Sequence, residues 1–210
     1  MLRKEHEIMA VFAKAPWKKF TFKEIKKLTG KKSESYVFSS LKKFVKTGLL
    51  NEEKAGNVVL YALNLAPLKA RAYVGFVAEH VAWNQKHIPY RDIEKISKGI
   101  PTEFYILIIT GSYARKEHTS KSDLDMVIIC DDSLDPKKIQ AEISQDCKLN
   151  IPPVHLYVFK EKEFLEMLTN KEPNYGKEIA NNNLILSGGK EYYGIMNEAV
   201  QNGFNNQNVY

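Results

Sequence analysis

The chain has 210 residues, 44% of them hydrophobic and 27% charged, and a formal net charge of +6 at pH 7. At about 150 residues per domain it holds one large domain or two small ones, and its ordinary composition excludes disordered, collagen-like and disulfide-scaffold chains. No apolar run approaches the ~18 residues of a membrane span, the N-terminal MLRKEHEIMAVFAKAPWKK lacks a signal-peptide apolar core, and Cys130 and Cys147 show no metal spacing. A cytoplasmic protein with no membrane partner is expected. The charge is unevenly placed: residues 1–65 hold 14 Lys and Arg against 6 Asp and Glu, and the rest hold 17 against 19. Charge asymmetry of this kind points to two modules with different partners.

In the basic third, Lys4 to Ala13 puts Ile8, Met9, Val11 and Phe12 on one helical stripe that Pro16 closes. Thr21 with Glu24 three residues on has the spacing of a capping box. It opens a second helix that turns Ile25 and Leu28 inward and stops at Gly30. Ser33 caps a third helix with the stripe Val37, Leu41, Phe44 and Val45, ending at Gly48. Leu49-Leu50, a polar turn at 54–57, and Val58 to Leu63 then read as a β-hairpin.

Three helices and a hairpin within residues 1–65 resemble a winged helix-turn-helix domain. In such domains the third helix enters the DNA major groove and the hairpin touches the backbone. Helix 33–47 would present Ser35, Tyr36, Ser39, Lys42 and Lys43, with Lys31 and Lys32 just before it. Lysines neutralise phosphate, and hydroxyls bond phosphate or base edges. Arginine, the commonest specific base reader, is absent there, which favours backbone contact over base readout. Double-stranded DNA is the partner this implies, and a soluble protein-binding face is the alternative.

Residues 66–100 read as a helical connector. Pro67 suits a first helical turn, Ala70, Tyr73, Val74, Val77, Val81 and Trp83 form an apolar surface, and Pro89 breaks the run. A second helix carries Ile93, Ile96 and Ile100 on one face. The connector serves either an intramolecular core or a homodimer contact.

Phe104 to Thr110 is a continuous apolar, β-branched run, the mark of a strand buried on both faces. It leads into Gly111-Ser112-Tyr113-Ala114-Arg115. A polar stretch follows, and Ser122-Asp123-Leu124-Asp125 then opens a second buried strand ending at Cys130. Glycine at a strand-to-helix turn lets backbone approach a ligand closely, and a helix start offers free N–H groups to phosphate. Asp123 and Asp125, two apart, share a face if they lie on a strand. Paired carboxylates suit Mg²⁺ that also holds substrate phosphates.

The string GSYARKEHTSKSDLDMVII resembles the signature of the minimal nucleotidyltransferases of the DNA polymerase β-like superfamily, with an archaeal flavour. Gly111, Ser112, Ala114, Arg115, Ser122, Asp123 and Asp125 fall in its register. The resemblance implies an α/β (α+β) chain: an N-terminal winged helix and a C-terminal nucleotidyltransferase fold with a mixed β-sheet flanked by helices. Pro136 to Asp146 and Glu161 to Leu168 read as helices, Val154 to Phe159 and Asn183 to Gly188 as strands, and Tyr192-Tyr193 as part of a last helix. The domains expected are 1–65, a connector 66–100, the nucleotidyltransferase domain 101–200, and a mobile tail 201–210.

The resemblance also implies a chemistry. A nucleoside monophosphate passes from an NTP, ATP foremost, to a hydroxyl of a protein or small molecule, as in antitoxins that nucleotidylate a partner. Two Mg²⁺ ions would sit on Asp123 and Asp125. Gly111, Ser112 and Ser122 would hold nucleotide. Arg115 would either touch phosphate or pair with Glu117. The family's third carboxylate is missing from the strand Pro153 to Val158, where His155 stands in about its place, and Lys116 stands where the family often has Gly. His155 reads either as a proton acceptor or as a plain strand histidine. The alternative function is a DNA-binding regulator whose second domain binds nucleotide and turns it over poorly. His118, in the site loop, is expected to be solvated.

Overall fold

The computed structural model of the chain describes residues 4–205; residues 1–3 and the last five of the expected tail, 206–210, lie outside them. The first elements are α1 (His6–Lys14), β1 (Phe20–Thr21), α2 (Phe22–Thr29), α3 (Glu34–Lys46), β2 (Leu50–Ala55) and β3 (Val58–Leu63). Next come α4 (Leu68–Ala82), α5 (Tyr90–Ser97), β4 (Tyr105–Ile109), α6 (Gly111–Arg115), β5 (Leu124–Cys130) and α7 (Pro136–Leu149). The chain ends with β6 (Val154–Lys160), α8 (Glu161–Thr169), α9 (Tyr175–Asn181), β7 (Leu184–Ser187) and α10 (Gly189–Gln201). The described residues fall into two compact units, one running to Ala78 and resuming at Lys190, the other running from Glu79 to Gly189.

In the first unit the local signals decide the elements. The Thr21 hydroxyl accepts from the Glu24 N–H while the Thr21 N–H donates to the Glu24 carboxylate at 2.7 Å, a closed capping box. Gly30 takes the left-handed conformation that stops α2, at φ 64°. The Ser33 hydroxyl caps α3 by accepting from the Tyr36 N–H. Ile8, Phe12, Ile25, Val37, Leu41 and Phe44 are buried together at the helix faces. Leu28 is a correction: it is 60% exposed, because an eight-residue helix buries only the stripe through Ile25. The hairpin β2–β3 turns at Gly56 and Asn57, and β1 adds a third antiparallel strand in the order β1-β3-β2. Two residues are too few for a periodicity, so β1 left no mark in the pattern.

α10 groups with this unit from Lys190 on, where the sequence reading carried the second domain to 200. Its Tyr193, buried, donates its hydroxyl to the Ala13 carbonyl at 2.8 Å. Phe204, expected in a mobile tail, is buried and meets Trp17 edge-on with ring centroids 5.1 Å apart.

The second unit is a four-stranded mixed sheet in the order β6-β5-β4-β7. β4 pairs antiparallel with β5 and β7, and β5 pairs parallel with β6. Parallel neighbours need a crossover, and α7 supplies it. Leu107, Ile109, Met126 and Ile128 share a core with Ile139 and Ile143 of α7 and with Ile93 and Ile96 of α5. Strand alternation sends Asp125, Val127 and Ile129 to the opposite face. Phe104 departs from the expected buried run: it is 84% exposed, lying before β4 begins. Trp83 stacks on Tyr90 and donates its indole N–H to the Leu186 carbonyl at 2.8 Å. Both cysteines are free and buried. No helix among the described residues is long and apolar enough to cross a membrane.

Candidate functional site

The site begins where β4 stops. Thr110 is buried; its N–H donates to the Asp125 carbonyl at 3.0 Å, and its hydroxyl donates to the Asn182 carbonyl at 2.6 Å. Its neighbour Gly111 sits at φ 64° and opens the five-residue α6. A Cβ built on Gly111 would lie 2.0 Å from Asp125 Oδ2. Only glycine combines this backbone with that approach, so the β4–α6 turn is pressed against the carboxylate of the next strand. α6 closes at Lys116, a non-glycine residue at φ 62°. That backbone is one glycine adopts at less cost than lysine.

Asp125 is the first outward residue of β5, in register with His155 of β6. Asp123 is exposed and precedes the strand, so the pair meets at the strand's mouth rather than along its face. Burial pushes the Asp125 carboxyl above the usual carboxylate range, with Asp123 and Glu178 pushing the same way and His155 and Arg115 opposing. His155 Nδ1 is 3.7 Å from Asp125 Oδ1. Arg115 donates its Nε–H to Glu117 at 2.8 Å, and its Nη1 lies 4.0 Å from Glu178. The Ser122 hydroxyl accepts from the Thr119 N–H at 2.9 Å, closing the loop before the aspartates. His118 overturns the expectation of a solvated residue. It is half-buried, stacked on Tyr113 at 4.2 Å and facing His87 at 5.1 Å.

Sequence reasoning missed three groups here. Glu178 and Tyr175 come from α9, a seven-residue helix whose Asn174 caps it by accepting from the Lys177 N–H. The Asn-rich, Pro-containing flanks masked it, and the Asn174 cap was the signal to use. Tyr157 follows His155 by two on β6 and shares its face; its hydroxyl lies 3.3 Å from His155 Nδ1. Tyr175 packs on Tyr157 with ring centroids 4.6 Å apart. Its phenol is pushed well up, by burial first and then by the charges of Tyr157 and Asp125.

The residues expected to face DNA lie on and before α3. Lys42 pairs with Glu52 at 2.7 Å and Lys43 with Glu5 at 2.8 Å, and Lys31 pairs with Glu7. Lys32 and Ser35 are exposed, Tyr36 is half-buried, and Ser39 donates its hydroxyl to the Tyr36 carbonyl. Phe38 is half exposed beside them, with Lys42 Nζ 5.7 Å from its ring centre.

Residues 93–185 match the family model described as a nucleotidyltransferase domain. The span takes in Gly111, Ser112, Asp123, Asp125, His155 and Glu178, and a mixed sheet flanked by helices is consistent with that fold. A similar solved structure, "Crystal structure of the toxin-antitoxin with AMP-PNP", shares 13% identity over 54% of this chain and 87% of its own, at a TM-score of 0.39. No curated protein matches the chain.

Proposed function

We propose that the second unit transfers a nucleoside monophosphate from an NTP, ATP foremost, to a hydroxyl of a protein or small molecule, releasing pyrophosphate. The observation that carries this reading is the contact of Gly111 with Asp125: a backbone turn able to receive phosphate stands against a half-buried carboxylate. The match of residues 93–185 supports the same class of chemistry.

The donor set fits a hard divalent cation. Asp123 and Asp125 offer carboxylate oxygens, and the raised Asp125 carboxyl is the kind of group a cation relieves. No group of three or more His, Cys, Asp and Glu suited to a metal occurs among the described residues, so the remaining ligands would come from substrate phosphate and water. Mg²⁺, when bound, supplies positive charge that neutralises phosphate and favours in-line displacement. Gly111 and Ser112 present backbone N–H groups to the phosphates. Arg115, released from Glu117, can add a charge-assisted bond to phosphate. His155 faces the acceptor side of Asp125 and holds a hydroxyl there.

The test is α-labelled NTP with Mg²⁺ and a panel of hydroxyl acceptors. The expected result is pyrophosphate and a labelled acceptor, both lost in the Asp123→Asn, Asp125→Asn double variant. An NTP that binds and releases no pyrophosphate with any acceptor would sink the reading.

A second reading has its own observation. Position 155 offers an imidazole in place of an acid, and the three helices and β-hairpin of the first unit support the winged-helix reading. On that reading the protein is a DNA-binding regulator that senses nucleotide. Nucleotide-dependent DNA affinity without pyrophosphate release would favour it.

A further inference from the structure

The order of the strands puts three groups in a row. Gly111 and Ser112 follow β4, Asp123 and Asp125 belong to the mouth of β5, and Tyr157 stands on β6. In-line displacement at phosphorus needs the attacking and leaving oxygens on opposite sides. A triphosphate seated on the β4 turn with its reacting phosphorus over β5 therefore meets its attacker from the β6 side. Two phenols stand on that side, and the one carried by the strand itself is that of Tyr157. It shares a strand face with His155, lies 3.3 Å from His155 Nδ1, and that nitrogen is 3.7 Å from Asp125 Oδ1. Strand pairing puts His155 opposite Asp125 and Tyr157 opposite Val127, the next outward position along the same face. Tyr157 is half-buried, and Tyr175 packs against its ring at 4.6 Å, holding it on the strand.

From this geometry we infer that the protein is its own acceptor: the second unit nucleotidylates Tyr157. The inference rests on the proposed transfer activity and names its first substrate hydroxyl. In the step, Tyr157 Oη forms a bond to the α-phosphorus of the NTP, and the bond from that phosphorus to the bridging oxygen breaks. Pyrophosphate leaves with the electron pair, and the phenolic proton passes to water. The product is a tyrosyl phosphodiester. It adds one negative charge and a nucleoside beside Asp125 and covers the side from which another acceptor enters. The modification therefore shuts the site to further acceptors.

The experiment incubates the full chain with each α-labelled NTP and Mg²⁺, then reads intact mass, peptide fragmentation and released pyrophosphate. Protein as purified is weighed first, so that modification acquired during expression is seen. The expected result is a gain of one nucleoside monophosphate mapped to Tyr157. In Tyr157→Phe the label falls to background while the far-UV spectrum and melting midpoint stay those of the parent. Label mapped to another residue would overturn the inference and leave the transfer reading standing. So would an unlabelled chain that still releases pyrophosphate to water or labels an added acceptor. An unlabelled chain that releases no pyrophosphate at all overturns both.

Discussion

Gly111 and Asp125 are so close that the smallest side chain on one would occupy the carboxylate of the other, 2.0 Å away. Gly111→Ala should therefore fail twice. An alanine at φ 64° costs about 1–2 kcal/mol, and its methyl must push Asp125 aside. The expected outcome is a lowered melting midpoint together with a loss of NTP affinity of about tenfold or more, since close backbone approach is what the turn provides. Isothermal titration with ATP and Mg²⁺ checks it. Unchanged affinity would remove Gly111 from the phosphate cradle.

The aspartates should separate function from stability. Burial and neighbouring carboxylates raise the Asp125 carboxyl, so its negative charge opposes folding when no cation is present. The Asp123→Asn, Asp125→Asn variant should melt higher than the parent in chelator and lose the rise that Mg²⁺ with ATP gives the parent. Differential scanning fluorimetry with and without chelator shows both. A variant still raised by Mg²⁺ and ATP would displace the pair from the site.

On α3 the lysines expected to meet DNA are held by glutamates, Lys42 by Glu52 and Lys43 by Glu5. Removing the competitor should help. Glu52→Gln is expected to raise DNA affinity at low salt by about two- to fivefold, the worth of one exposed pair. Lys42→Ala should lower the slope of log affinity against log salt by about 1. Fluorescence anisotropy over a salt series measures both, and a flat response in all three proteins would remove DNA as a partner.

Cys147 is buried and its thiol is pushed up to about 11, burial being the main cause. The thiolate is the reactive form, so below that pH the native protein should hide it. Cys130 is buried and raised too. At pH 8 a thiol reagent should find neither cysteine until denaturant is added, and two afterwards. Rapid reaction in the native state would contradict the packing of α7 on the sheet.

The parts of this molecule that the amino-acid order announces are those fixed by neighbours in the chain. Thr21 with Glu24, Ser33 and Gly30 define α2 and α3 through bonds within three residues. The buried run Ile106 to Ile109 and the Gly111 and Asp125 positions were legible because a strand, a turn and a strand follow one another directly. What escaped depends on chain far away. Glu178 comes beside Arg115 only because Thr110 ties the end of α9 to the β4–α6 turn through Asn182. Tyr157 becomes interesting only once β6 is known to pair with β5 in parallel. Leu28 misled because a short helix has room for one buried stripe, and a leucine on its flank stays in water.

The sheet ends at β6. Among the described residues no strand pairs with it on its outer side, so His155 and Tyr157 stand on the sheet's last strand. An enclosed pocket would limit the acceptor to small molecules that fit inside it. A hydroxyl presented at a sheet's rim sets no such size limit, and the same rim admits the side chain of a folded macromolecule as readily as a free alcohol. On the proposed transfer, selection among acceptors depends on what can lie flat beside that strand, and the bulk of the rest of the acceptor does not enter into it.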